Sequence, residues 1–203
     1  INKDFQIDLQ VLTGEEEAKL TFLAARRWFG WSSGRLLIVD IGGGSLEMAV
    51  GVDESPEAAV SLPLGAARLT KDFLKGDPYT DKSVRNLRDH IENSLEQILP
   101  NLVKHQESDR AIATSKTLRT LARLCGDWFD GNGNNITIDA IRKISNKLAD
   151  MDVAARAKLP GVSENRASQI VAGAFVAESV MRNLDLKNLE VCPWALREGV
   201  VLK

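Results

Sequence analysis

Cysteine, aromatic residues and an excess of either charge are all scarce in this 203-residue chain. Two cysteines, Cys125 and Cys192, are too few for a disulfide framework or a cysteine zinc site. They fit a reducing compartment, so the cytoplasm is the expected location. Aromatic residues make up 5% of the chain. Its tryptophans (Trp28, Trp31, Trp128, Trp194) are not interleaved with basic residues as a base-stacking platform requires. A formal net charge of −2 makes the chain no overall trap for polyanions, and DNA is not an expected partner. No apolar run approaches the ~20 residues of a membrane span, and no basic segment followed by an apolar one marks a secretory signal. What remains, 44% hydrophobic and 27% charged residues, supports an ordinary buried core in one domain or two small ones.

Periodicity divides the chain into strands and helices. Ile7, Leu9 and Val11 alternate with polar residues over 6–12, the pattern of a half-buried strand. Thr13-Gly14-Glu15-Glu16 is a capping box. The helix it opens carries Ala18, Phe22, Ala25 and Phe29 on one face and ends near Gly30. Residues 35–41 are apolar on both faces, as in a central strand, and residues 45–52 alternate again beyond a glycine turn. There Leu46, Met48 and Val50 face one way, and Ser45, Glu47 and Ala49 the other. A third strand is expected over 58–62, a short helix over 65–74, and a long amphipathic helix over 81–104 whose last turn Pro100 bends or frays. Then come a strand over 110–113, a helix over 116–124, a turn-rich loop over 126–135, two or three helices, a strand over 188–192 and a terminal element over 196–202. Strands mixed with helices make the class α/β.

Chemistry concentrates in Asp40-Ile41-Gly42-Gly43-Gly44-Ser45-Leu46-Glu47. Three glycines in a row let backbone N–H groups approach an anion with no side chain in the way. A carboxylate closing an apolar strand is costly to bury unless a metal or a hydrogen-bond network uses it. Together they suggest a phosphate cradle beside a hard cation; a plain hairpin turn is the alternative. Thr114-Ser115-Lys116 offers hydroxyls, free amides and a cation at a strand-to-helix junction, either as a second anion site or as simple N-capping. The acids Glu15-Glu16-Glu17 suit the first turn of any helix. Ile170 to Phe175 is apolar nearly all round, which buries that helix and makes Gly173 a packing residue before a ligand contact. His90 and His105 lie away from the glycine turn.

Taken in order, these segments resemble the exopolyphosphatase/guanosine pentaphosphate phosphatase family of the actin-like fold superfamily. The resemblance is carried by Thr13-Gly14-Glu15-Glu16-Glu17-Ala18, by the Asp40 to Glu47 run, and by Leu62-Pro63-Leu64-Gly65-Ala66-Ala67-Arg68-Leu69. Ala113-Thr114-Ser115-Lys116-Thr117-Leu118-Arg119, Arg166-Ala167 with Ala172-Gly173-Ala174, and Leu196-Arg197-Glu198-Gly199-Val200 complete it. It implies an α/β actin-like (ribonuclease H-like) domain, a mixed sheet flanked by helices. It implies Glu17 as catalytic base, Asp40 and Glu47 as holders of Mg²⁺ (Mn²⁺ as substitute) and the attacking water, and Gly42, Gly43, Gly44 and Ser45 as a phosphate loop. Thr114, Ser115, Lys116 and Arg166 would border the anionic substrate. The implied activity is Mg-dependent hydrolysis of the terminal phosphate of inorganic polyphosphate. The alternatives are guanosine pentaphosphate 5'-phosphohydrolysis or a non-catalytic alarmone- or nucleotide-sensing module, and a kinase within the superfamily would need an adenosine pocket near Gly173. Departures from the family pattern are Ala113 for Gly, Leu46 for Thr, and Asn165 and Ser168 where acids are usual. The resemblance also implies that residues 1–203, opening Ile1-Asn2-Lys3, are the second actin-like domain of a longer, two-domain cleft protein, nearly inactive alone. A homodimer of that longer protein is a further expectation.

Overall fold

The computed structural model describes residues 11–98, 102, 108–129 and 131–203. At its start the capping box forms as the sequence predicts: the Thr13 N–H donates to the Glu16 carboxylate at 2.7 Å, and the Glu16 N–H donates to the Thr13 hydroxyl. Helix α1 (Gly14–Phe29) follows and stops at Gly30, where φ is +74°. Strands β1 (Leu36–Ile41), β2 (Leu46–Gly51) and β3 (Ala58–Leu62) run as an antiparallel meander. Helices α2 (Ala66–Phe73) and α3 (Asp81–Glu96) lead to β4 (Arg110–Ala113), which pairs parallel to β1. Then come α4 (Lys116–Phe129), β5 (Asn135–Thr137), α5 (Ile138–Asp150), two short turns of helix α6 (Val153–Ala157) and α7 (Glu164–Ala167), and α8 (Ile170–Asn183). Strand β6 (Asn188–Val191) and helix α9 (Leu196–Leu202) end the chain. The six-stranded sheet has the order β3-β2-β1-β4-β6-β5.

The period of two along each strand separates two cores. Leu37, Val39 and Ile41 of β1 with Leu46, Met48 and Val50 of β2 face the larger one, with α4, α5 and α8. Leu36, Ile38, Ala49 and Ile112 face the smaller one, under Ala18, Phe22 and Ala25 of α1. Helix α8 is buried from Ile170 to Met181, and Gly173 is a packing residue: a Cβ there would lie 2.5 Å from Thr117 Cγ2.

Four features differ from the sequence reading. Four helices rather than two or three lie between β5 and β6, because α6 and α7 are five and four residues long, too short for periodicity to show. Helix α3 ends at Glu96 rather than 104; Pro100 has no N–H to give the carbonyl four residues back, and its ring disfavours helix at the residue before it. Helix α4 runs five residues beyond the expected 124, straight through Gly126. That glycine is no helix stop but a contact, since its Cβ would meet the backbone of Gly133 at 2.6 Å. Strand β5 has one buried residue, Ile136, too little for alternation to reveal. Of the strand expected over 6–12, only Val11 and Leu12 are among the described residues and neither is in a strand; His105 lies outside them. His90 stacks on Phe73 with ring centroids 4.4 Å apart, and Trp28 lies against Trp194 at 5.5 Å.

Because Gly126 sits against backbone, Gly126→Ala forces the chain at Gly133 to move. We expect a loss of about 1–3 kcal/mol, read as a fall in Tm of roughly 2–4 °C per kcal/mol in thermal melts followed by circular dichroism. An unchanged Tm would show that this loop yields freely.

Candidate active site

The face of the sheet beneath α1 is apolar in its middle and polar at one end. Leu36 and Ile38 give way to Asp40 on β1, Ala49 to Glu47 on β2, and Ile112 to Thr114 just past β4. On β3, Ser61 lies opposite Glu47, and Asp40 also lies opposite Glu47 across the β1–β2 pair. This end coincides with the C-terminal ends of the parallel strands β1 and β4, where ligands of open α/β sheets bind.

Each carboxylate is held by a hydroxyl from a neighbouring strand or its extension. Thr114 Oγ1 donates to Asp40 Oδ2 at 2.6 Å, and Ser61 Oγ to Glu47 Oε1 at 3.0 Å. Burial raises the Asp40 carboxyl above its ordinary range, against the Thr114 hydrogen bond and the Arg119 charge, and nearby Glu17 adds to the rise. Glu47, 4% exposed, is raised for the same first reason, with the Ser45 and Ser61 hydroxyls opposing and Asp40 and Glu17 adding.

Glu17 reaches this cluster because α1 starts against the sheet. A Cβ at Gly14 would lie 2.2 Å from Ser61 Oγ, so only glycine lets the first turn come so near. The three acids then diverge in use. Glu15 pairs with Lys19 at 2.6 Å and Glu16 caps Thr13, whereas among the described residues the Glu17 side chain has no hydrogen-bond or ion-pair partner. The first-turn explanation accounts for Glu15 and Glu16 and leaves Glu17 acting electrostatically on Asp40 and Glu47.

The glycine turn is built as a hairpin and braced from behind. The Gly42 N–H donates to the Ser45 carbonyl at 2.9 Å. The Ala66, Ala67 and Arg68 N–H groups at the start of α2 donate to the Gly42 and Gly43 carbonyls. Gly65 makes this brace fit, since its Cβ would fall 2.2 Å from the Gly44 carbonyl carbon. The turn's own glycines are different. A Cβ on Gly44 would meet nothing within 4 Å and one on Gly43 only Ala67 Cβ at 3.8 Å; none of Gly42, Gly43 and Gly44 has positive φ. Neither strain nor packing requires glycine there. Among the described residues, the N–H groups of Gly43, Gly44 and Ser45 have no acceptor.

A pocket of about 240 Å³ lies between this turn and the start of α4. It brings together Asp40, Gly42, Gly43, Thr114, Ser115, Lys116 and Arg166 from the sequence-derived set. Gly44, Ser45, Glu17 and Glu47 are not on its wall; Glu17 and Glu47 share the electrostatic neighbourhood of Asp40. Ser115 caps α4 by accepting from the Leu118 N–H at 3.1 Å, while Thr114 serves Asp40 instead. The sequence reading did not single out Ser61, Arg119 or Gln169. Arg119 lines the pocket one helical turn past Lys116, and its Nη1 donates to the Pro193 carbonyl at 2.9 Å. Its spacing from Lys116 was the available signal; Ser61 had none, because only strand pairing brings it to Glu47.

For a divalent cation the donor set fits one description. Two adjacent, desolvated carboxylates are present, and no cluster of three or more candidate ligands occurs among the described residues. Asp40 and Glu47 would suit Mg²⁺, which takes one or two carboxylates with water and substrate phosphate filling the rest.

Raised carboxyls state their own effect on stability. For an acid raised on folding, ionisation favours the unfolded chain, so stability falls as pH rises through the unfolded and then the folded value. Asp40→Asn and Glu47→Gln therefore raise Tm at pH 7–8. The gap to wild type narrows as pH falls and the native carboxyls take up protons. A lower Tm for both variants at pH 7–8 would contradict this.

The chain matches the Ppx/GppA phosphatase family over residues 1–203. It is 47% identical over 207 residues to exopolyphosphatase 1 of Mycobacterium leprae, covering 100% of this chain and 61% of that protein. It is 26% identical over 195 residues to the guanosine-5'-triphosphate,3'-diphosphate pyrophosphatase of Vibrio campbellii, covering 95% of this chain and 38% of that protein. The crystal structure of the Aquifex aeolicus Ppx/GppA family member superposes with a TM-score of 0.83 at 26% identity, over 99% of this chain and 65% of that one. The mixed sheet flanked by helices is thus shared with solved relatives, and this chain spans less than two thirds of the length of each of these three relatives. With its whole length matched, the chain belongs to the Ppx/GppA phosphatase family.

Proposed function

We propose that the protein to which these residues belong is an exopolyphosphatase, removing the terminal phosphate of inorganic polyphosphate. The observation that carries this reading is the make-up of the site. One pocket joins Asp40, Lys116, Arg119 and Arg166 to a glycine turn whose Gly43, Gly44 and Ser45 N–H groups are unused among the described residues, and Glu17 and Glu47 lie in the electrostatic neighbourhood of Asp40. The greater identity to the mycobacterial exopolyphosphatase than to the Vibrio pyrophosphatase favours polyphosphate. The 26% match to the latter keeps guanosine pentaphosphate as the second substrate to assay.

The terminal phosphate sits on the N–H groups of Gly43, Gly44 and Ser45, where side chains would block its approach. Lys116 and Arg166 neutralise its remaining oxygens. Mg²⁺ (or Mn²⁺) on Asp40 and Glu47 would neutralise charge on phosphate oxygens and orient the attacking water. Glu17 takes the proton from that water at a carboxylate oxygen as the new P–O bond forms. The bridging P–O bond breaks in line, and its electron pair leaves on a chain one phosphate shorter. A binding-only sensor has no use for an unpartnered Glu17 beside two desolvated acids.

In the full-length polypeptide with Mg²⁺ and polyphosphate, Glu17→Gln lowers kcat by about 10²–10⁴-fold with little change in KM; unchanged turnover would overturn the mechanism. Gly43→Ala separates function from folding. The new methyl makes ordinary contact with Ala67, so Tm holds while phosphate release falls at least about tenfold. Wild-type release from guanosine pentaphosphate but not from polyphosphate would transfer the assignment to the second substrate.

A further inference from the structure

Helix α2 begins on the glycine turn, its first N–H groups bonded to the Gly42 and Gly43 carbonyls, and leads away from the pocket. Leu69 packs it inward, while Arg68 and Lys71 lie one turn apart on it and Lys75 lies just past its end, all three exposed. Among the described residues none of the three makes an ion pair. Asp72 is the single acid on that face. Lys75 Nζ donates to the Lys71 carbonyl at 3.0 Å, which holds its ammonium against the end of the helix with two donors unused. Beyond it lies an open groove of about 740 Å³ between α2 and α3, with Lys75 and Lys82 on its walls beside Thr80 and Ser83. Asp72 and Asp89 are the acids lining it.

We propose that this face of α2 is the track on which the tail of an extended polyphosphate chain leaves the active-site pocket, passing over Arg68, Lys71 and Lys75 toward Lys82. The inference rests on the terminal-phosphate reading above and adds to it a binding surface for the units that do not react. A linear polyphosphate carries a charge on every unit and no base or apolar face, so it is recognised by a row of unpaired cations. The helix ends at Phe73 and Leu74 is extended, so Lys75 lies just past α2 and is tied to its last turn by the bond to the Lys71 carbonyl. A short chain fills the pocket without reaching Lys75, whereas a long one engages the whole row. Chain-length preference then resides in α2.

The test compares long-chain polyphosphate with tripolyphosphate in the full-length polypeptide, for wild type, for Arg68→Gln/Lys71→Gln/Lys75→Gln, and for a control of equal charge change, Lys143→Gln/Lys158→Gln/Lys187→Gln. The α2 variant is expected to raise KM for the long chain at least about fivefold. The slope of log KM against log salt should fall by about 2, at roughly 0.7 per phosphate contact of a single-stranded polyanion. KM for tripolyphosphate and kcat for both substrates stay within about twofold of wild type. Lys75→Gln alone should give a partial effect, on the long chain only. Equal losses on both substrates, no loss on either, or equal losses in the control would overturn the track while leaving the terminal-phosphate reading intact. Wild type releasing phosphate from neither substrate would overturn that reading and the track with it.

Discussion

Two carboxylates, Asp40 and Glu47, stand directly opposite each other on neighbouring strands and are both stripped of most of their water. Like charges so placed repel, and burial makes each charge costlier still. A fold keeps such a pair only where its surroundings hold it, and here the sheet order supplies the restraint. In β3-β2-β1-β4, each acid-bearing strand has on its outer side a neighbour that ends in a hydroxyl, Ser61 beside Glu47 and Thr114 beside Asp40. Those hydrogen bonds oppose the rise in both carboxyls without cancelling it. What remains is a standing attraction for positive charge at the end of two parallel strands.

The glycines around this pair fall into two physical kinds. Gly14 and Gly65 are glycines because neighbouring atoms come within 2.2 Å of where a Cβ would be; they bring α1 and α2 down onto the sheet and so place Glu17 and brace the turn. Gly43 and Gly44 have room for a side chain and ordinary φ, so the chain itself gives no reason for them. Close packing explains the first kind but not the second, which suits the close approach of phosphate proposed above.

Much of this was legible in the residue order because the relevant signals are local. The capping box, the two-faced apolar strand ending in Asp40, the alternation through Glu47 and the glycine turn each depend on a few adjacent residues. What escaped depends on tertiary contact. Gly126 reads as a turn signal until Gly133 is seen lying against it. Ser61 is one polar residue in a short strand until β3 pairs with β2. The distinction among Glu15, Glu16 and Glu17 is likewise invisible in one dimension, where all three suit a first turn. It appears when Lys19 and Thr13 take the first two and the sheet receives the third.

Net charge illustrates the same limit from the other side. A total of −2 argues against a surface that gathers polyanions indiscriminately, and the distribution agrees. Glu17, Asp40 and Glu47 gather at one end of the sheet, Lys116, Arg119 and Arg166 surround the pocket that Asp40 also lines, and Arg68 and Lys71 are exposed on α2. Field strength at a partly desolvated site follows from nearby charges and the local dielectric rather than from the sum over the molecule. A near-neutral domain is therefore compatible with handling one of the most densely charged of linear polymers. Under the proposed function, the cations and free N–H groups at the turn would draw phosphate there while the carboxylates repel it, orienting the chain end before any chemistry begins.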